Sequence, residues 1–192
     1  MFNRRRLAPN TKEIVKEMFR RIEKSFVDNL QNVDWIDEKT RENMISKVGK
    51  IDSLIAYPNL ILDPVKLEEY YKDLVIDDSD YYGNRVRLSQ FHQRLSVLVK
   101  GKIEDKIREW GDATHLFLAN SSYLGLFNKI LIQLGILQRP LFDLSFPSSM
   151  NYGAIGFVMG HEVLHGFDDH SKMKDMSDEP IFLLSFWVTI LF

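Results

Sequence analysis

The stretch Gly153-Ala-Ile-Gly-Phe-Val-Met-Gly-His-Glu-Val-Leu-His-Gly-Phe167 carries the strongest pattern in the chain. Ile155, Val158, Met159, Val163 and Leu164 recur at helical spacing, which predicts a buried helix from Gly153 to Phe167. On that helix His161 and His165 stand four residues apart, on one face and about one turn from each other. Two imidazoles so placed can both reach one zinc ion at roughly 2.0–2.1 Å. Glu162 follows the first of them, where its carboxylate can face the same metal from the side. Zinc lowers the pKa of the water it holds towards about 7. A carboxylate within hydrogen-bond reach takes that proton and can return it to a leaving amine. His161 and His165 are therefore candidate ligands of one zinc ion, and Glu162 is the candidate general base. The competing reading is a surface helix that carries two histidines by chance. The apolar flanks Val158-Met159-Gly160 and Val163-Leu164 count against it, because a buried carboxylate is costly unless a cation neutralises it.

The residues after the pentapeptide narrow the class. A metzincin would carry a third histidine at position 171 and a glycine at 168, but Ser171 and Asp168 stand there and His170 is one place short. The third ligand is then expected to be a carboxylate further along the chain. Asp175, Asp178 and Glu179 are the residues available, and none stands in a helical E-N-x-x-D setting.

The composition of the whole chain sets broad limits. The 192 residues are enough for one domain or a domain and a half with a buried core. Lys plus Arg number 25 against 27 Asp plus Glu, a net charge of −2 that argues against a nucleic-acid partner or a polybasic membrane surface. Cysteine is absent, so no disulfide framework is possible. The N-terminus is basic but has no apolar h-region, and no apolar run reaches the 18 residues of a complete transmembrane helix. Ile181 to Phe192 is strongly apolar and reads either as a buried strand or as an interrupted chain end.

The first half reads as helices. Asn10 is a candidate cap, with Glu13 at the box position and Val15, Met18, Phe19, Ile22, Phe26 and Leu30 on one stripe. Asp37 is the expected cap of a second helix using Met44, Ile45, Val48, Ile51 and Leu54, ended by Tyr57-Pro58. Asp63-Pro64 starts a third, with Leu67, Tyr70, Tyr71 and Leu74 behind it. A fourth would use Val86, Phe91, Leu95 and Leu98. After Gly111 the period changes. Thr114–Ala119 and Lys129–Leu134 are short apolar runs that predict two strands in a hairpin-like arrangement, with a helix over Leu124–Leu134 as the alternative.

Asn151 to Asp169 resembles the zinc-helix region of the neprilysin and endothelin-converting-enzyme family, peptidase family M13. Gly135-Ile-Leu-Gln-Arg-Pro-Leu-Phe142 is similar to that family's G-I-L-Q-P-P-F-F segment. Trp35-Ile-Asp-Glu-Lys-Thr-Arg41 and Ile55-Ala-Tyr-Pro-Asn59 resemble its preceding helical region. The resemblance runs, with weaker stretches, from about Thr11 to Asp169. It implies a mainly α fold with a small β element, in which a thermolysin-like edge strand lies beside the zinc helix. Residues 1–112 would be a helical region, 113–170 a partial catalytic region, and 171–192 an apolar tail with no clear counterpart.

By the same resemblance His161 and His165 hold one zinc ion, Glu162 is the base, and Asp168 orients a ligand imidazole. Asn120 and Ser121 fall on the family's N-A-x-Y edge strand, which holds the substrate backbone. Tyr123 fits that pattern and Ser121 departs from it. Asn120-Ser-Ser122 is also a glycosylation sequon, a use that would conflict with substrate binding. Peptide substrates, hydrolysis of peptide bonds and a cell-surface or extracellular location are implied. The family's E-N-x-x-D ligand and its downstream Arg and His have no match here. The chain is therefore expected to hold zinc weakly and to show little peptidase activity alone, or else to bind peptide or a partner without catalysis.

Overall fold

The computed structural model describes residues 7–98 and 117–167. Helix α1 (Thr11–Leu30) forms on its apolar stripe, and Val15, Met18, Phe19, Phe26 and Leu30 are all buried. Its start differs from the expected capping box. Asn10 has φ 67°, in the left-handed region, and its side chain makes no cap bond. A capping side chain needs extended backbone to turn back onto the first free N–H groups. The Thr11 hydroxyl instead donates to the Ala8 carbonyl at 2.8 Å. The other end of α1 is closed by Arg41, whose guanidinium donates to the carbonyls of Leu30, Val33 and Ile36. One side chain thereby satisfies acceptors that a helix end leaves open.

Helix α2 (Glu38–Val48) is capped as expected, with the Thr40 N–H donating to Asp37 at 2.9 Å. It stops at Val48, however, and Leu54 belongs to strand β1 (Asp52–Ala56). The spacing of Val48, Ile51 and Leu54 imitates a helix, but residues 52–56 have a strand partner elsewhere in the chain. That partner is β3 (Lys129–Gln133), parallel to β1 with Asp52 opposite Lys129 and Ala56 opposite Gln133. Strand β2 (Ser121–Leu124) runs antiparallel to β3, giving the order β1-β3-β2. The expected hairpin is therefore present, but its first strand begins at Ser121. Phe117 to Asn120 lie outside it as turn and bend, and residues 114–116 are outside the described residues. Lys129–Leu134 is strand and not helix until its last residue.

A helical run closes this unit: α5 (Ser148–Asn151), a π turn over Tyr152–Gly156, and α6 (Phe157–His165). Buried Asn151 anchors its start, donating to the Asp143 carbonyl at 2.9 Å and accepting from the Asp143 N–H at 3.2 Å. A π turn adds a residue to the helix and shifts the phase of the residues after it by about 100°. It is after this shift that Met159 and Val163, with 0% and 1% exposure, face the core.

Among the described residues, 57–98 belong to a second compact unit, and 7–56 with 117–167 belong to the first. The expected divisions at residues 112 and 170 lie outside the described residues. In the second unit a 3-10 turn (Asn59–Leu62) leads to α3 (Pro64–Tyr71) and α4 (Tyr81–Leu98). Asp63 caps α3, accepting from the Val65 and Lys66 N–H groups with Pro64 in the first turn. Leu74 lies beyond α3, and Val86, expected in the core, is 55% exposed. Phe91 carries the packing instead, with its ring 5.8 Å from that of Tyr70 and 5.7 Å from that of Tyr71. The side chains of Leu95 and Leu98 are outside those described. Among the described residues no helix is long and apolar enough to cross a membrane. The chain is mainly α with a small three-stranded sheet.

Candidate metal centre

Helix α6 places its chemistry between a core face and an open one. Met159 and Val163 point inward, and Glu162 between them is 5% exposed. His161 and His165 are half-buried, one turn apart. Their Nε2 atoms are 2.9 Å from each other, with ring centroids 4.4 Å apart and planes at 82°. Two ligands of a tetrahedral zinc ion at about 2.0–2.1 Å stand roughly 3.3 Å apart. The imidazole pair is therefore already close to the separation that one ion needs.

The electrostatics point the same way. Burial pushes the Glu162 carboxyl above its ordinary value, and the neighbouring His165 and a main-chain hydrogen bond from Tyr123 pull it back. The two imidazole nitrogens fit part of the donor set of a divalent cation, and the buried carboxyl beside them would face such an ion. That carboxyl fits a hydrophobic core poorly. Among the described residues no third His, Cys, Asp or Glu is grouped with the pair. Asp168, expected to orient an imidazole, lies outside the described residues, as do His170, Asp175, Asp178, Glu179 and the apolar tail.

Strand β2 lies against α6 and is an edge of the sheet. Asn120, just before it, is exposed, and its carbonyl accepts from the Gln133 N–H at 3.3 Å. Ser121 is 6% exposed and its hydroxyl donates to the Leu131 carbonyl at 2.8 Å. That hydroxyl is therefore committed to the sheet. Tyr123 stands opposite buried Ile130, so the two side chains share a face. The Tyr123 hydroxyl donates to Asn128 Oδ1 at 2.8 Å.

Sequence reasoning does not reveal that Tyr123 meets Glu162 through its main chain and Asn128 through its hydroxyl. Asn128 left one usable signal. An Asn three residues after Gly125, between apolar runs, suits the left-handed conformation it adopts at φ 45°.

Comparisons with known proteins find relatives for most of the chain. Models of peptidase family M13 match residues 1–58 and 120–182. An endothelin-converting enzyme homolog of Locusta migratoria is 36% identical over 92% of this chain, which spans 24% of that protein. Neprilysin-3 of Drosophila melanogaster is 35% identical over 91% of the chain and 22% of its own length. Among solved structures, PepO from Lactobacillus rhamnosis aligns with a TM-score of 0.76 at 26% identity, over 91% of this chain and 26% of that one. The Mycobacterium tuberculosis zinc metalloprotease Zmp1, in complex with an inhibitor, aligns at 0.68 with 29% identity, over 91% and 24% of the two chains. The chain thus spans about a quarter of the length of the relatives it matches.

Proposed function

This chain belongs to peptidase family M13, and on that premise we propose that it carries the core of a zinc-dependent endopeptidase centre acting on oligopeptides. His161 and His165 would hold one zinc ion through their Nε2 atoms. The observation that carries this reading is the pair of Nε2 atoms 2.9 Å apart beside a buried carboxyl. When bound, the ion supplies Lewis acidity towards a scissile carbonyl and a water.

Glu162 is the proton carrier. Its raised affinity for a proton suits a group that takes one from the attacking water and returns it to the leaving amine. The main-chain hydrogen bond from Tyr123 would limit how far the carboxyl can swing. Asn120 would meet the substrate backbone from the exposed start of β2. Ser121 would contribute only its main chain, because its hydroxyl is already used. Asp168 would orient a ligand imidazole. A location at the cell surface or outside the cell belongs to the same proposal, through the family likeness.

One observation favours a second reading, peptide binding along β2 without catalysis. The imidazole pair has no third ligating residue among those described. Zinc content by elemental analysis, with cleavage of a short apolar peptide, separates the two. One zinc per chain is expected, lost in His161→Ala and kept in Glu162→Gln. Under the peptidase reading Glu162→Gln lowers turnover by about a hundredfold or more. Zinc uptake with no turnover in the unsubstituted chain supports the binding reading, and no zinc uptake sinks the assignment of His161 and His165 as ligands.

A further inference from the structure

We propose that Tyr123 is a positioning residue for the metal-binding end of α6, held in place by Asn128 and Lys47, a role that rests on the metal-centre reading above. The contacts form a closed circuit. The Tyr123 hydroxyl donates to Asn128 Oδ1 at 2.8 Å, and Asn128 Nδ2 donates to the Lys47 carbonyl at 3.0 Å. Asn128 also accepts the Asp52 N–H on its own carbonyl at 3.0 Å, which pins it to the start of β1. The Lys47 ammonium lies 5.6 Å from the centre of the Phe167 ring, and Phe167 stacks on Phe26 of α1 at 5.3 Å and 23°. Phe167 comes directly after Gly166, and a Cβ on Gly166 would meet the Tyr123 ring carbon and hydroxyl at an ordinary contact distance of 3.4 Å, with the Val163 carbonyl nearer at 3.0 Å. The circuit therefore returns to the residue where it began.

Two features make this more than core packing. The residue after His165 is a glycine against which the Tyr123 ring lies, so the ring sets how close the end of α6 comes to β2. The same tyrosine reaches the Glu162 carboxyl through its main chain. A shift of Tyr123 moves the base and the second imidazole together, whereas a core residue such as Ile130 touches neither by hydrogen bond. Asn128 suits the pivot because the left-handed backbone at φ 45° is one that Asn tolerates, and its amide donates and accepts at once.

Tyr123→Phe keeps the ring and deletes the hydroxyl. Asn128→Gly keeps the left-handed backbone and deletes both amide bonds. In the metal-free full chain, amide hydrogen exchange over Glu162–Phe167 is expected to rise about fivefold in Tyr123→Phe, the loss of one hydrogen bond. Exchange over Val15–Phe26 should not change. With Co2+ as the probe, the dissociation constant is expected to rise about tenfold, the usual cost of losing an outer support of a ligand. The double variant should be no weaker than Asn128→Gly alone. Unchanged exchange over Glu162–Phe167, or a rise shared equally by α1, overturns the role. So does unaltered Co2+ affinity in both variants when local exchange has risen. No Co2+ uptake by the unsubstituted chain overturns the metal reading itself, and the role falls with it, whatever the exchange shows.

Discussion

Helices α6 and α3 are almost equal in length, nine and eight residues, and they are specified in opposite ways. Helix α3 is written locally. Asp63 caps it and Pro64 opens it, and yet it buries none of its residues. Helix α6 has no capping side chain and continues from a π turn, but it buries Met159, Glu162 and Val163. The two helices store their information in different places. A helix fixed by its ends tolerates changes on its faces, while one fixed by its faces is free to carry unusual residues at its end. His165 occupies such an end, and His161 lies one turn before it at the middle of the helix.

The most direct way to undo this contrast is to empty one face of each helix. Met159 has 0% exposure, and Met159→Ala is expected to destabilise the protein by about 3 kcal/mol, since buried methionine truncations leave a cavity. Val65 on α3 is 75% exposed, and Val65→Ala should stay within about 0.5 kcal/mol, with any gain coming from the higher helix propensity of alanine. Urea unfolding of the two variants measures both. Equal losses would show that α3 is also held by its faces. The complementary substitution acts on an end. Asp63→Ala removes the acceptor of two N–H groups and should cost about 1 kcal/mol. The cost should appear as faster amide exchange within α3, with α6 unaffected.

The same distinction governs how much of the molecule is legible in its sequence. The stripe of α1, the Asp37 and Asp63 caps and the His161-Glu162-His165 face all depend on residues within a few positions of one another, and all can be read. Strand β1 cannot, because its parallel partner begins at Lys129 while Val48, Ile51 and Leu54 copy a helical spacing. The start of β2 differs from its expected place for a related reason. Phe117 and Leu118 are apolar and resemble strand residues, yet both are exposed, while Ser121 is buried. Nothing in the sequence marks the π turn either, although it sets which face of α6 is buried. At the site, residue identities are legible and their supports are not, because Tyr123, Asn128, Lys47 and Phe167 meet only through tertiary packing.

Carboxyl groups carry the contrast between the two units down to its smallest measurable effect. In the second unit Asp80 accepts the Gly83 N–H at 2.8 Å and an Arg87 N–H at 2.8 Å, and these bonds hold its pKa below the ordinary value. In the first unit Glu23 lies four residues after Phe19 and three before Phe26, on the apolar side of α1. Burial pushes it up to about 7 against the pull of Arg20. The signs oppose. A depressed carboxyl stabilises the fold at neutral pH and loses that contribution as pH falls through its folded value. A raised one binds its proton more tightly in the folded chain, so stability declines as pH rises from about 4.5 to about 7. Glu23→Gln should therefore raise the melting temperature at pH 8 and leave it unchanged at pH 4, with part of the wild-type slope persisting through Glu162, which is raised for the same reason. Melting curves at pH 4, 6 and 8 decide it. A variant that gains nothing at pH 8 would mean that Glu23 reaches water, and that Glu162 is the only one of the two whose charge the first unit resists.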